Sequence, residues 1–256
     1  MVKNVPAVLL VGGLGTRLRS VLPRCPKPLA TIGDIPFLEL LVRQLKSQGF
    51  RRVLMCTGFL ADKIEQEFGD GKAFGVQIEY SREAIPLGTA GALRLARTHL
   101  AGTSDFFVLN GDSFIEMNFN ELLQFHDSKN ALLTIAVRAV NNIARYGAVK
   151  LDPQGRITEF REKNDATTSG LVNAGVYVMK REVLERIPDG EVSLERDILP
   201  NMLSQGLYAL QQQGTFIDIG TPSDLARAQS LSAHLKSLTE GSSVSSARPS
   251  GPRPKS

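Results

Sequence analysis

The sequence predicts an α/β fold, a mixed and mostly parallel sheet flanked by helices. Short β-branched and apolar runs alternate with longer segments of helical period, the pattern of parallel strands joined by crossover helices. The 256 residues are 42% hydrophobic and 22% charged, enough to bury the core of one large domain or two small ones. The first apolar run opens into "LLVGGLGTRLRSVLPRCPKPL" (9–29), three glycines followed by cations and prolines, a stretch built to hold something anionic.

The elements follow in order. "AVLLV" (7–11) is the first strand, and a helix is expected to start near Thr16. "FLELLVRQLKSQG" (37–49) puts Leu38, Leu41, Val42 and Leu45 on one helical face and stops at Gly49. "RVLMCT" (52–57), "VQIEY" (76–80), "FFVLN" (106–110) and "LLTIAV" (132–137) are the next strands, with "GALRLARTHL" and "NELLQFHDSK" as the helices after the third and fourth. Beyond residue 140 the pieces are strand-rich: "YGAVKLD", "GRITEFRE" and "GLVNAGVYVM", with Asp152-Pro153-Gln154-Gly155 as a turn. A helical "SLERDILPNMLSQ", a strand pair around "LYALQQQGTFIDI" and one closing helix from Pro222 finish the fold. The expected organisation is one domain over 1–237, with a first part about 1–140 and a strand-rich second part about 141–237. From 238 to 256 a Ser/Pro/Gly/basic segment with almost no apolar content is expected to be a disordered tail.

Composition removes several classes of function. The formal charge is +4, and Arg248, Arg253 and Lys255 against Glu240 place about half of that excess in the tail. The body is therefore close to neutral, and with 6% aromatic residues and no tryptophan a nucleic-acid partner is not expected. Cys25 and Cys56 lie far apart without a metal or disulfide spacing. No apolar run reaches the length of a membrane span or a signal segment, so the expectation is a cytoplasmic protein without a membrane partner. His99, His126 and His234 fall on predicted helices without acids or cysteines at ligand spacing, and are expected at the surface or at helix ends. Cys56, in an apolar strand, is expected in the core.

Two named phosphate loops do not fit the glycine stretch. The dinucleotide fingerprint needs a third glycine where Leu18 stands, and the Walker motif needs Lys-Ser/Thr where Thr16-Arg17 follow Gly15. What does fit is a resemblance. "GGLGTRL" closely followed by "PKPL", then "EAIPLGTAGAL" (83–93), "LNGDSF" (109–114), "FREK" (160–163), "VNAGVYV" (172–178) and "FIDIGTP" (216–222) resemble, in the same order, the marks of the sugar-1-phosphate nucleotidylyltransferases. The likeness covers roughly residues 5–232. Within that family the combination "FGDGKAFGVQIEYSREAIPLGTAGAL", "SLERDIL" and "FIDIGTP" is most similar to the D-glycero-D-manno-heptose 1-phosphate guanylyltransferases, and mannose-1-phosphate guanylyltransferases share much of it. One departure is Asn164, where many members carry proline after Glu162-Lys163.

The resemblance implies a Rossmann-like fold of the nucleotide-diphospho-sugar transferase type. It also implies transfer of a guanylyl group from GTP to a sugar 1-phosphate for a bacterial surface glycan such as lipopolysaccharide or capsule, with Mg2+ as cofactor. Both reactants are anions, so such a site must offset charge repulsion more than it must move a proton. Arg17 and Lys27 are accordingly expected on the triphosphate, one as a fork and the other as a point charge. Solvated surface charge is the plain alternative for Lys27, and Arg19 and Arg24 are left as surface.

Gly12, Gly13, Gly15 and Thr16 are expected to line the nucleotide, with Gly88, Thr89 and Gly91 close to the base. Glu83 is expected to read guanine, whose adjacent N1–H and N2–H donors match two carboxylate oxygens. The resemblance gives Asp112 and Asp218 to the metal, against a helix cap and a buried ion pair as plain alternatives. It gives Gly147, Glu162, Lys163, Asn173 and Gly175 to the sugar phosphate; an alternating strand explains Asn173 almost as well. A catalytically silent nucleotide-binding subunit would be expected to have lost Arg17, Lys27, Asp112 or Asp218, and all four are present. The closing helix could face a sister subunit in a homo-oligomer.

Overall fold

The computed structural model describes residues 1–18, 21–22, 25–143, 147–161 and 168–239. Arg19, Arg24, Glu162, Lys163 and the segment from residue 240 lie outside them.

In chain order the elements are β1 (Ala7–Leu10), β2 (Thr31–Ile32), β3 (Ile35–Pro36), α1 (Phe37–Ser47), β4 (Arg52–Thr57), α2 (Ala61–Phe68), β5 (Gln77–Arg82), α3 (Gly88–Leu95), β6 (Asp105–Asn110), β7 (Ser113–Ile115) and α4 (Phe119–Ser128). They continue as β8 (Leu133–Val140), β9 (Ala148–Leu151), β10 (Ile157–Arg161), β11 (Gly170–Lys180), β12 (Leu207–Gln212), β13 (Phe216–Asp218), α5 (Pro222–Ser230) and α6 (Ser232–Thr239). The main sheet runs β10-β9-β11-β6-β1-β4-β5, and β8 extends it by pairing with both β11 and β12. β6, β1, β4 and β5 are mutually parallel; β11 enters antiparallel to β6 and pairs antiparallel with β8 and β9 as well, while β12 lies parallel to β8.

Parallel strands are covered on both faces, which explains why β1 reads as an unbroken apolar run. Ala7 and Leu9 enter the core with α1 and α4, and Val8 enters the core with α3. On the first side Phe50, Phe107 and Phe119 meet edge to face, with centroids 5.1, 5.3 and 5.6 Å apart. Cys56 is buried as the apolar strand requires.

β1 leads on to β4 and β5 on one side, and the chain then crosses back so that β6 lies on β1's other side. The loops leaving β1 and β6 therefore diverge, and the crevice between them is where open α/β sheets take ligands. Here the crevice carries the glycine stretch and Asp112.

Four expectations are corrected. The helix near Thr16 is a single 3-10 turn, Thr16–Leu18, because the proline-rich segment follows too soon for a longer one. The strands in "LYALQQQGTFIDI" do not pair with each other: β12 lies parallel to β8, and β13 pairs antiparallel with β7 in a small separate sheet. The closing helix is two helices, broken at Leu231 where the backbone leaves helical angles, and the second runs to Thr239, past the expected start of the tail. His126 is core rather than surface, because α4 packs against β8. Its Nδ1 is 2.8 Å from Thr134 Oγ1, and its imidazole, 3.5 Å from Asp105, holds that carboxyl below its usual range.

The Asp152–Gly155 turn forms as expected: Asp152 Oδ1 accepts from the N–H groups of Gln154 and Arg156, and Gly155 has φ +81°. A Cβ there would stand 2.9 Å from Phe125 and 3.1 Å from the Ala209 carbonyl. Gly155→Ala is expected to cost about 1–3 kcal/mol, read by urea unfolding; an unchanged midpoint would contradict the turn's role.

Candidate active site

Two adjoining cavities occupy the crevice and meet at Leu10, Gly13 and Asp112. The smaller, about 180 Å³, is walled by Gly15, Thr16, Arg17, Lys27, Gly111 and Gly220 among others. The larger, about 300 Å³, is walled by Gly12, Cys56, Glu83, Gly88, Thr89 and Asn110 among others. The predicted phosphate cations thus face one cavity and the predicted base-reading acid faces the other. Gly13 sits at the junction with open space where a side chain would project.

The smaller cavity is electrostatically organised around Asp112. Its Oδ2 is ion-paired with Lys27 Nζ, so Lys27 is not solvated surface charge; its side chain is 11% exposed. Burial alone would push the Asp112 carboxyl up, but the charge and hydrogen bond of Lys27, the Ser113 hydroxyl and the Arg17 charge outweigh it and leave it lowered. Asp218 behaves oppositely: burial and then the charge of Asp112 raise it, against Lys27 and the Gly220 N–H. The two carboxylates share one hydroxyl, with Ser113 Oγ 3.2 Å from Asp112 Oδ1 and 3.3 Å from Asp218 Oδ2. The β7–β13 ladder makes this meeting, since Asp218 registers opposite Ser113.

Two carboxylates at one hydroxyl, beside a cavity that Lys27 and Arg17 line, present hard oxygen donors, a set that suits a magnesium-sized cation completed by substrate phosphates. Among the described residues no third acid, histidine or cysteine joins them.

Glu83 follows β5 and tucks between two backbone segments. Its Oε2 accepts from the Leu87 N–H at 3.1 Å, and a Cβ on Gly12 or Gly58 would come within 2.5 Å of Oε1. Burial raises its carboxyl, opposed by the Leu87 hydrogen bond. Gly12 therefore makes room for Glu83. Gly88 and Gly91 differ from expectation in the same way: side chains there would strike the Val192 and Gly190 carbonyls, so these glycines seat α3 under that segment, although Gly88 also lines the larger cavity.

The residues expected on the sugar side lie apart from these cavities. Gly147 accepts from the Asn173 N–H at 3.0 Å, joining the start of β9 to β11. Asn173 Oδ1 accepts from the Gly175 N–H at 2.9 Å, and Gly175 packs against Asn110. None of Gly147, Asn173 and Gly175 lines the two cavities. Sequence reasoning missed Asn110, Ser113, Tyr177 and Glu195. The first two flank Gly111-Asp112 in "LNGDSF", and Glu195 lies in "SLERDIL", which carried the resemblance without being given a role.

The chain is 39% identical over 237 residues to a Drosophila melanogaster protein named mannose-1-phosphate guanylyltransferase catalytic subunit beta, covering 91% of this chain and 64% of that one. It is 38% identical over 228 residues to a Mycobacterium tuberculosis mannose-1-phosphate guanylyltransferase, covering 88% and 63%. The chain thus spans under two thirds of the length of these curated relatives.

Among solved structures, HddC from Yersinia pseudotuberculosis superposes with a TM-score of 0.79 at 32% identity, covering 88% of this chain and 98% of that one. The same protein complexed with GMP-PN gives 0.77 at 31%, with the same coverage. The nucleotidyl transferase family model matches residues 6–234, from just before β1 into α6, and the chain belongs to that family.

Proposed function

We propose that this chain transfers a guanylyl group from GTP to a sugar 1-phosphate, with D-glycero-α-D-manno-heptose 1-phosphate as the sugar. An oxygen of the sugar phosphate attacks the α-phosphorus, the bond from that phosphorus to the pyrophosphate leaving group breaks, and GDP-sugar and pyrophosphate are the products. The observation that carries the reading is the pair of cavities joined at Gly13 and Asp112, one bearing Arg17 and Lys27, the other Glu83. In it, Arg17 and Lys27 balance the triphosphate while Glu83 accepts from the guanine edge. Asp112 and Asp218 would hold Mg2+, which when bound screens the two anionic reactants from each other. Asn173 orients the sugar, a role that the resemblance extends to Glu162 and Lys163.

The guanine assignment is supported by the GMP-PN complex of HddC and by the names of the curated relatives. Those names also favour a second sugar, mannose 1-phosphate. The heptose differs from mannose by one extra hydroxylated carbon, so one ring-binding site fits both classes. No helix among the described residues is long and apolar enough to cross a membrane.

The test is pyrophosphate release with magnesium across GTP, UTP, CTP, ATP and dTTP against both sugar phosphates. Release with GTP and the heptose phosphate supports the reading, and release with mannose 1-phosphate alone moves the sugar. No release from protein that still binds nucleotide returns the silent subunit. Glu83→Gln, which replaces one acceptor by a donor, is expected to lower kcat/KM for GTP by about 10–100-fold and leave the sugar phosphate KM within about twofold. An unchanged GTP preference would remove Glu83 from base reading.

A further inference from the structure

Behind the sugar side of the crevice lies a hydrogen-bonded chain that neither the family marks nor the cavities account for. β11 bulges between Asn173 and Tyr177: Asn173 registers with Val137 and Tyr177 with Ile135, so four steps on β11 meet two on β8. Bulges re-aim side chains beside functional sites. This one brings Asn173 Nδ2 to 2.7 Å from the Tyr177 hydroxyl, which in turn is 2.9 Å from Glu195 Oε1. Tyr177 is fully buried. Glu195 lies in a single wide π turn, Leu194–Ile198, a rare local form that recurs at functional sites.

Donor and acceptor rules fix the direction of every link. A carboxylate only accepts, so the Tyr177 hydroxyl donates to Glu195 and must itself accept from Asn173, which has to present its NH2 group. The other end gives the same answer independently: the Gly175 N–H donates to Asn173 and so needs the amide oxygen there. The amide is held one way round.

The far oxygen of Glu195 is anchored. Oε2 accepts from the Thr89 hydroxyl at 2.9 Å and the Ser193 hydroxyl at 3.2 Å, and Thr89 Oγ1 is itself held by the Leu194 N–H at 2.7 Å. Burial and the Glu195 charge keep Tyr177 in its hydroxyl form, with its pKa pushed well above the usual value.

We infer that Glu195 is a positioning residue for the sugar 1-phosphate: through Tyr177 it holds, together with the Gly175 N–H, the one orientation of the Asn173 amide, and so the sugar hydroxyl pattern the site accepts. The inference rests on the reading of β11 as the sugar side. Glu195 need not touch the sugar; its effect is carried by the polarity of the chain.

Four proteins are compared by steady-state kinetics with GTP and the sugar 1-phosphate that the wild type uses, each with a melting curve. Glu195→Leu removes the acceptor, Tyr177→Phe removes the relay while keeping the ring that fills the core, and Glu195→Gln keeps an oxygen for Tyr177 while its amide meets hydroxyls free to rotate. Expected are a rise of about tenfold or more in KM for the sugar phosphate in Glu195→Leu and Tyr177→Phe, GTP KM within about threefold in Tyr177→Phe, which leaves the Thr89 bond in place, and recovery to within about threefold of wild type in Glu195→Gln.

A merely structural role would lower kcat or melting temperature and leave both KM values in place, which overturns the inference, as does a Tyr177→Phe enzyme with unaltered sugar KM. Absence of turnover in the wild type overturns the proposed reaction and the inference that rests on it, whereas turnover with an unaltered sugar KM in the variants overturns the inference alone.

Discussion

Asp112→Asn is expected to lower kcat for pyrophosphate release about a thousandfold, the upper range for loss of one preorganised electrostatic group, while GTP still binds. Asp112 is the point on which both cavities and both cations converge: it lines each cavity, pairs with Lys27 and lies within the field of Arg17. Asparagine keeps the shape and the acceptor for Ser113 but loses the charge that sets Lys27 and would draw a divalent cation. Folding should survive. Removing one partner of a fully buried pair costs about 3–5 kcal/mol, but a third of the Asp112 side chain faces the cavity, so Lys27 can rehydrate and the loss should be smaller. A variant that retains more than about a tenth of the wild-type kcat would remove Asp112 from the chemistry and leave it a structural partner of Lys27.

How far the sequence reaches follows from which interactions are local. β4 was legible to the residue because Arg52–Thr57 contains the apolar run Val53-Leu54-Met55-Cys56 and is bounded by Gly49 and Gly58. The glycine loop, Lys27, Glu83 and Asp112 were legible because each follows a strand, so the chain order itself puts them at one end of the sheet. What stayed hidden depends on pairing between distant segments. β13 joins β7 instead of its sequence neighbour β12, and that choice brings Asp218 to Ser113. The pairing of Lys27 with Asp112 spans 85 residues, and that of Thr89 with Glu195 spans 106. His126 was misplaced for a related reason: the helical pattern of α4 is clear, but the buried Thr134 that accommodates an imidazole belongs to another element.

Asp218→Asn should abolish activity and at the same time make the metal-free protein more stable. The folded site raises the Asp218 carboxyl by burial and by the facing charge of Asp112. For a carboxyl raised on folding, the contribution to stability is complete below the unfolded value and is lost as pH rises through the folded one. At neutral pH the ionised group is therefore a liability of the empty site, whereas Asp112, lowered by Lys27, contributes there and loses its contribution in acid.

Asparagine removes the repulsion and keeps the local bonds: its oxygen still accepts from the Gly220 N–H, now 2.5 Å from Oδ1, and the Ser113 hydroxyl can rotate toward Asp112. If the relief is on the order of 1 kcal/mol, thermal unfolding in chelator at pH 7 should shift upward by about 2–4 °C, and the gain should vanish in acid, where Asp218 is protonated in the wild type as well. Magnesium added without substrate should raise the wild-type midpoint and leave the variant's in place, since ligand stabilisation follows affinity for the folded state. A lower midpoint in the variant at pH 7 would mean that Asp218 is held by a partner stronger than the repulsion, and that the carboxylate pair is a structural ion-pair network instead of a charge-strained site kept for a cation.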